Sequence, residues 1–332
     1  MSCFTQSVKN PCWHEADSCL FCQSRQLKVW KRGLKDHLGH VKGSWRLMLC
    51  RSCNSVTISP MPATENVAAL YPELYSFRPD LIRERSGSRL APQAEALFSR
   101  LINAGEVNRV RKGTGISSGS MLDIGCGTGE RMARFAQAGF HVRGLEIQPQ
   151  LVEHVRKTYR LKADLSSFEQ LPYRRESFDL ITIYYVMEHL RDPPGMMSKI
   201  YSIIKPGGWL AAEMPLADSL QGRLLGRRWS QYAEAPRHLA IPSQSGIIQL
   251  LQTAGFRRVR VKPSGSLNSA AAFGISVVPS AILGNAYRAG CGPFRRFLGG
   301  AAGMAAFPAA ALESHWLGKP AFGLVLAQKP AI

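Results

Sequence analysis

The sequence predicts an α/β fold: a parallel sheet with helices on both faces, a small cysteine-bearing module before it and an apolar segment near its end. Three observations predict it. From Met121 to about Pro263, strand-like apolar runs alternate with helical ones, the pattern of a parallel sheet covered on both sides. Residues 1–60 hold two Cys-x-x-Cys pairs. Residues 264–321 are apolar and rich in small residues, and 322–328 return to a strand pattern.

The elements follow in order. Residues 1–60 form the cysteine module. Residues 61–117 form a helical connector running into the Gly/Ser-rich stretch Gly113–Gly119. In the core, 118–263, Ser120 to Ile124 is a buried strand and Glu130 to Ala138 a helix. His141 to Ile147 is the second strand, and Pro149 to Tyr159 the second helix. Phe178 to Tyr184 is a strand, and Pro194 to Ile204 a helix stopped by Lys205-Pro206-Gly207-Gly208. Trp209 to Met214 is a strand. Ser243 to Ala254 is a helix ended by Gly255, as a C-cap requires. Arg257 to Val261 is a strand, residues 264–321 an inserted helical segment, and 322–332 carry the last strand.

The chain has 332 residues, 45% hydrophobic and 20% charged, which excludes a disordered chain, a collagen and a coiled coil. Its net charge of +19 points to an anionic partner: nucleic acid, a phospholipid surface or a phosphorylated substrate. A soluble basic enzyme is the plainer alternative. Eight cysteines are too few for a disulfide scaffold at this length. Met1 to Asn10 show no apolar signal-peptide run, so the expected location is cytoplasmic. Paired thiols there usually bind metal.

Cys19/Cys22 and Cys50/Cys53 are separated by 27 residues. Each pair forms one thiolate knuckle, and two knuckles make a tetrahedral four-cysteine zinc site with no open position, hence a structural one. Cys12, His14, His37 and His40 are alternative ligands by type. Cys3, Cys126 and Cys291 belong to no pattern and read as small fillers. A redox role would need a thioredoxin-like context, which is lacking.

The sharpest signal is Leu122-Asp-Ile-Gly-Cys-Gly-Thr-Gly129, a strand entering a glycine-rich turn that opens a helix. Such glycines allow a sharp turn and a close approach by a ligand. The second strand carries Glu146, 23 residues after Asp123, where an acid can accept both hydroxyls of a ribose. Asp164 is placed to meet an adenine amino group, or to cap a helix.

With Asp123-Ile-Gly-Cys-Gly-Thr-Gly129, Glu146, Asp164 and Phe178-Asp179, the chain resembles the class I S-adenosylmethionine-dependent methyltransferases over residues 118–262 and the last strand. The third glycine falls at the wrong offset for the NAD fingerprint. The resemblance implies a seven-stranded Rossmann-like sheet with an antiparallel last strand. It implies that Asp123, Gly125, Cys126, Gly127 and Gly129 hold the methionine part of S-adenosylmethionine. It places Glu146 on the ribose hydroxyls and Asp164 near the adenine, with Ile147, Leu165 and Tyr184 as further cofactor contacts. Val186-Met-Glu-His-Leu-Arg-Asp192, Trp229 and Pro236-Arg-His-Leu239 narrow it to a bacterial subgroup acting on glycans, lipids and small metabolites. Ser59-Pro-Met-Pro62 and Leu70–Tyr75 resemble the connector after the cysteine pairs in such enzymes. Tyr71 and Tyr75 are then covers for the site or packing between domains.

For the acceptor, sites in parallel sheets form at the carboxyl ends of strands. His189 and His238 are the base candidates, because histidine titrates near neutrality. A hydrogen bond shaping the cofactor wall is the alternative for His189. Tyr185, Trp229 and Arg237 are candidate acceptor contacts, and Arg237 alternatively anchors its loop through an ion pair. Residues 264–321 emerge beside this edge. From Gly255 to Ile332 there are nine basic residues and one acid, and 263–287 and 297–312 carry no charge. Apolar stretches broken by Arg288, Arg295 and Arg296 suggest a segment on an anionic membrane, with a lid or dimer contact as the alternative. The expected function is methyl transfer to a lipid-linked, glycan-related or small-metabolite acceptor, on oxygen or carbon, at the cytoplasmic membrane face. A zinc-module ribosomal RNA methyltransferase is the second expectation. It lacks a base-flipping motif, and nucleic acid is the weaker partner. A non-catalytic scaffold is the third, opposed by the intact glycine loop.

Overall fold

The computed structural model describes residues 12–36, 39–71, 105–167, 170, 172–277 and 293–331. Cys3, His37, Tyr75, Arg288 and Cys291 lie outside the described residues. Five strands come first: β1 (Trp13–His14), β2 (Leu27–Leu34), β3 (Trp45–Cys50), β4 (Val56–Ser59) and β5 (Met61–Pro62). A 3-10 turn, Thr64–Leu70, and α1 (Glu106–Thr114) precede the main sheet. There follow β6 (Gly119–Ile124), α2 (Glu130–Gln137), β7 (Phe140–Glu146), α3 (Pro149–Tyr159), β8 (Lys162–Leu165) and β9 (Phe178–Tyr184). Then come α4 (Pro193–Ile203), β10 (Ile204–Pro215), α5 (Leu220–Leu225), α6 (Ser230–Ala233), β11 (Ala240–Ile241) and α7 (Gln244–Thr253). The chain closes with β12 (Arg257–Pro263), α8 (Ser266–Val277), α9 (Pro293–His315) and β13 (Phe322–Gln328).

The main sheet has seven strands in the order β12-β13-β10-β9-β6-β7-β8. β13 runs antiparallel to both neighbours, and the remaining pairs are parallel, as expected. Strand β9, Phe-Asp-Leu-Ile-Thr-Ile-Tyr, is central and buried along nearly its whole length, as an apolar, β-branched run between two helical layers should be. Register sets Asp123 beside Thr182, Tyr184 beside Glu213 and Glu146 beside Leu165, so the acids gather at one edge of the sheet. One boundary differs from expectation. Lys205–Gly208 does end α4, but β10 already pairs at Ile204, and its register shifts between Ile204 and Trp209. The Pro/Gly run is therefore an irregularity inside a long strand.

The N-terminal strands form a second, antiparallel sheet ordered β11-β4-β3-β2. Its β11 comes from the loop after β10, so the cysteine module and the core share a sheet. They also share one apolar core, in which Leu47 and Ile58 belong with Leu122, Ile183, Trp229 and Leu250. Arg237 joins the two chemically. It is completely buried, donates to Asp36 at 2.6 Å and to Glu234 at 3.1 Å, and lies 3.5 Å from the carbonyl of Leu70.

The apolar insertion folds as a helical pair. α8 and α9 approach closely at Gly303, where a Cβ would stand 3.1 Å from the Ala270 carbonyl oxygen. Ser276 ties α8 to α6 by accepting from the Ser230 amide at 2.8 Å. The buried Glu313 of α9 accepts from the amide and the side chain of Gln221 on α5, both at 3.0 Å. Among the described residues no helix is long and apolar enough to cross a membrane.

Candidate active site and cysteine cluster

The glycine turn after β6 is pinned to β7. The amides of Gly125 and Cys126 both donate to the Leu145 carbonyl, at 2.8 and 3.1 Å. Gly127 and Gly129 are left-handed, with φ of 55° and 81°, for different reasons. A Cβ on Gly129 would lie 2.7 Å from Val155, so that position serves the packing of α2 on α3. A Cβ on Gly127 would meet nothing within 4 Å, so that position faces open space. Burial pushes the Cys126 thiol well above its ordinary value, with Asp123 adding to the effect, consistent with a filler.

The Glu146 carboxylate accepts the amides of Gly127, Ile147 and Gln148, at 3.0, 2.8 and 3.1 Å. Burial raises its pKa, and those amides oppose the rise. A carboxylate offers about four acceptor sites, so the orientation is fixed and capacity remains. The exposed apolar side chains of Ile147 and Leu165 flank it. Asp164 lies within β8, which removes the helix-cap alternative. Its carboxylate is held by Arg143 at 2.5 and 3.0 Å and by Tyr173 at 2.7 Å. Burial works against its charge, but those hydrogen bonds win and keep it below the usual carboxylate value.

Asp123 is fully buried. One carboxylate oxygen accepts from Thr182 at 2.7 Å and lies 3.8 Å from Arg131, while the other has no partner among the described residues. Burial raises its pKa against the pull of Arg131. Arg131 also pairs with Glu106 at 2.6 Å and stacks 3.8 Å over the ring of Tyr184, whose buried hydroxyl likewise has no partner among the described residues. Orphaned polar atoms beside an open glycine face are the sites that a polar ligand would satisfy. The open face at Gly127, the oriented Glu146 and the orphaned Asp123 oxygen thus fit a nucleoside-bearing amino acid such as S-adenosylmethionine. Sequence reasoning misses Glu106 and Arg131. Their only signal is the acid–base pairing of two helices about 25 residues apart.

At the end of β9, Tyr185 adopts φ of 56°, unusual for a tyrosine. Its hydroxyl donates to Glu213 at 2.5 Å, and Asn268 of α8 reaches both at 3.2 Å. Glu213 is buried, which raises its pKa, the Tyr185 hydrogen bond opposing. The insertion therefore contributes a side chain to this edge. Sequence reasoning misses Glu213 and Asn268 as well, because nothing local marks either.

The ligand atoms of Glu188, His189 and His238 lie within 4.8 Å of one another. Burial pushes Glu188 up to about 8 and, with His238 alongside, His189 down to about 3. His189 Nδ1 lies 2.9 Å from the Tyr71 hydroxyl and 3.1 Å from the Arg237 carbonyl. His238 Nδ1 lies 2.7 Å from the Gln231 carbonyl. A base so weakened accepts protons poorly at neutral pH. The observed contacts of His189 are with the Tyr71 hydroxyl and the Arg237 carbonyl. Two acceptor expectations are corrected. Arg237 is an anchor, because it is completely buried and pairs with Asp36 and Glu234 inside the protein. Trp229 is completely buried against Tyr232, with ring centroids 4.8 Å apart, and presents no face to a substrate.

In the module, the Cys19 and Cys53 sulfurs lie 3.6 Å apart, and the Cys22 and Cys50 sulfurs 3.5 Å apart. Four thiolates about 2.3 Å from a tetrahedral centre stand roughly 3.8 Å apart, so the set matches zinc. Cys12, His14 and His40 do not join the cluster. The Cys19 thiol holds Cys53 down to about 5 and is itself pushed up by that bond.

Residues 92–261 match the family model for a methyltransferase domain. The chain is 28% identical over 188 residues to a demethylmenaquinone methyltransferase of Lactiplantibacillus plantarum, covering 48% of this chain and 78% of that protein. It is 30% identical over 116 residues to a ubiquinone biosynthesis O-methyltransferase of Pseudomonas fluorescens, covering 32% and 49%. Among solved structures, a putative sarcosine dimethylglycine methyltransferase from Galdieria sulphuraria superposes with a TM-score of 0.49 at 17% identity, covering 69% of this chain and 86% of that one. With half of its length matched by the family model and its strands in the expected order, the chain belongs to the methyltransferase-domain family and is a class I S-adenosylmethionine-dependent methyltransferase.

Proposed function

We propose that the chain methylates a hydroxyl or an acidic carbon of a small, lipid-linked or glycan-related acceptor. The acceptor lies between the ends of β9 and β10 and the start of α8, at the cytoplasmic face of a membrane. The observation that carries this reading is the trio Tyr185, Glu213 and Asn268. Burial raises the basicity of the Glu213 carboxylate and lowers that of His189, so Glu213 is the better placed proton acceptor for a hydroxyl. Relatives named for demethylmenaquinone and for ubiquinone support an organic acceptor.

S-adenosylmethionine supplies, when bound, a methyl group on a sulfonium that the acceptor takes by in-line displacement. In this reading Asp123 and the 125–129 turn hold its amino-acid end, and Glu146 accepts the ribose hydroxyls. Ile147, Leu165 and Asp164 border the base, Asp164 sharing its charge with Arg143. Tyr184 with Arg131 closes the wall behind the reacting centre. Glu213 removes the acceptor proton, and Tyr185 and Asn268 orient it. Cys19, Cys22, Cys50 and Cys53 hold a structural zinc.

Calorimetric titration tests the cofactor site. The wild-type chain should bind S-adenosylmethionine, and Asp123→Ala and Glu146→Ala should each weaken it at least about tenfold with the fold retained. Unchanged affinity in both variants would remove the assignment. Labelled methyl transfer into lipid, small-metabolite and RNA fractions then tests the acceptor. Incorporation into RNA alone overturns the reading.

A further inference from the structure

We infer that the outward face of α9, with the neighbouring end of α5, is a docking surface for an anionic lipid bilayer. Helix α9 turns Ala306, Ala310 and Glu313 inward. On its outward side stand the exposed Met304, Phe307 and Leu312, and the exposed Trp316 follows in the turn just after the helix. Trp316 is 84% exposed and Met304 69%, and Leu317 extends the patch. Residues 297–312 carry no charge, so nothing charged interrupts it except at the helix ends. Isolated exposed apolar residues are ordinary, but five on one short segment mark an interaction surface.

Charge decides which occupant. Gln221, bonded to Glu313 and to the Ser269 carbonyl, holds α5 against α8 and α9. One turn further, Leu224 is 75% exposed. Near it in the chain, Arg223 on α5 and Arg227 and Arg228 in the turn after it are exposed and form no ion pair among the described residues, Arg227 reaching toward Gly33 of β2. The only acid after Gly255, Glu313, is buried and already bonded. Apolar side chains that include a tryptophan, with exposed guanidinium groups on the adjoining α5 and the turn after it, suit an interface of acyl chains and phosphate headgroups. A second copy of the chain would bring like charges together. A nucleic acid would leave the apolar face uncovered. The proposal rests on the membrane location proposed above but not on the identity of the acceptor, which the methyl-transfer assay tests separately.

Co-sedimentation of the full, zinc-loaded chain tests it, with vesicles of phosphatidylcholine alone or with one-third phosphatidylglycerol. The anionic vesicles should bind the chain at least about tenfold more tightly than the neutral ones. Met304→Asp with Trp316→Asp should weaken that binding by about tenfold or more. Arg223→Glu, Arg227→Glu and Arg228→Glu together should abolish the preference for anionic lipid. Thermal unfolding and S-adenosylmethionine binding, measured on the same samples, establish that each variant is folded. Absence of wild-type binding overturns the proposal. So does binding indifferent to both sets of substitutions, and so does self-association that the aspartates abolish without any lipid binding.

Discussion

Gly127 and Gly129 share a left-handed backbone, yet alanine should act differently at each. At both, the backbone costs roughly 1–2 kcal/mol. At Gly129 the new Cβ also meets Val155 at 2.7 Å, so α2 and α3 must separate. Gly129→Ala should therefore lower the unfolding temperature more than Gly127→Ala, while Gly127→Ala should lose cofactor affinity out of proportion to stability. Differential scanning calorimetry with titration separates the two. Glu188 supplies a second test. Its carboxyl is near 8 when folded against 4.5 ordinarily, so its stabilisation is complete below 4.5 and is lost as pH rises through 8. His189 moves from 6.5 to about 3, so its contribution is complete above 6.5 and is lost as pH falls through 3. The pair is thus most stabilising between 4.5 and 6.5. From pH 6.5 to 8 the wild type should lose roughly 1.4 kcal/mol per pH unit from this group, and Glu188→Gln should not. Urea midpoints across that range decide it.

At the scale of elements, the strands and helices of the core are legible in the sequence because periodicity and glycine punctuation are local. The glycine turn, Glu146 and the cysteine pairs are legible for the same reason. The role of Arg237 is not, because its partner Asp36 lies 201 residues away. Glu213 and Asn268 meet only after α8 folds back. Trp229 looks available because a loop tryptophan carries no sign of its burial. The start of α7 shows how far the cysteine cluster reaches. Ser243 caps that helix through the Gly246 amide at 2.9 Å and also donates to the Cys53 carbonyl. Metal analysis should find about one zinc per chain, lost in Cys19→Ser/Cys50→Ser. Hydrogen exchange in that variant should rise at 240–247 as well as in β3 and β4. Faster exchange confined to residues before 60 would contradict the coupling.

For the whole molecule, the buried ion-pair junction matters most. Arg237→Ala removes the buried cation that Asp36 and Glu234 share. It should cost roughly 3–5 kcal/mol, a loss large enough to threaten folding. In the fraction that folds, S-adenosylmethionine affinity should stay normal, since the residue is a joint and not a contact. Weaker cofactor binding at unchanged stability would return Arg237 to the site.

The pairing of β11 with β4 also bears on how the chain is made. Residues 56 and 57 meet 241 and 240, so about 180 residues separate the two strands in synthesis order. At a ribosome's ~5–20 residues per second, β4 waits roughly ten to forty seconds for its partner to be translated. Throughout that interval the nascent module shows an open strand edge and the apolar side chains of its half of the core. That edge is where a holdase chaperone, or a mispaired neighbour on the same message, would first take hold.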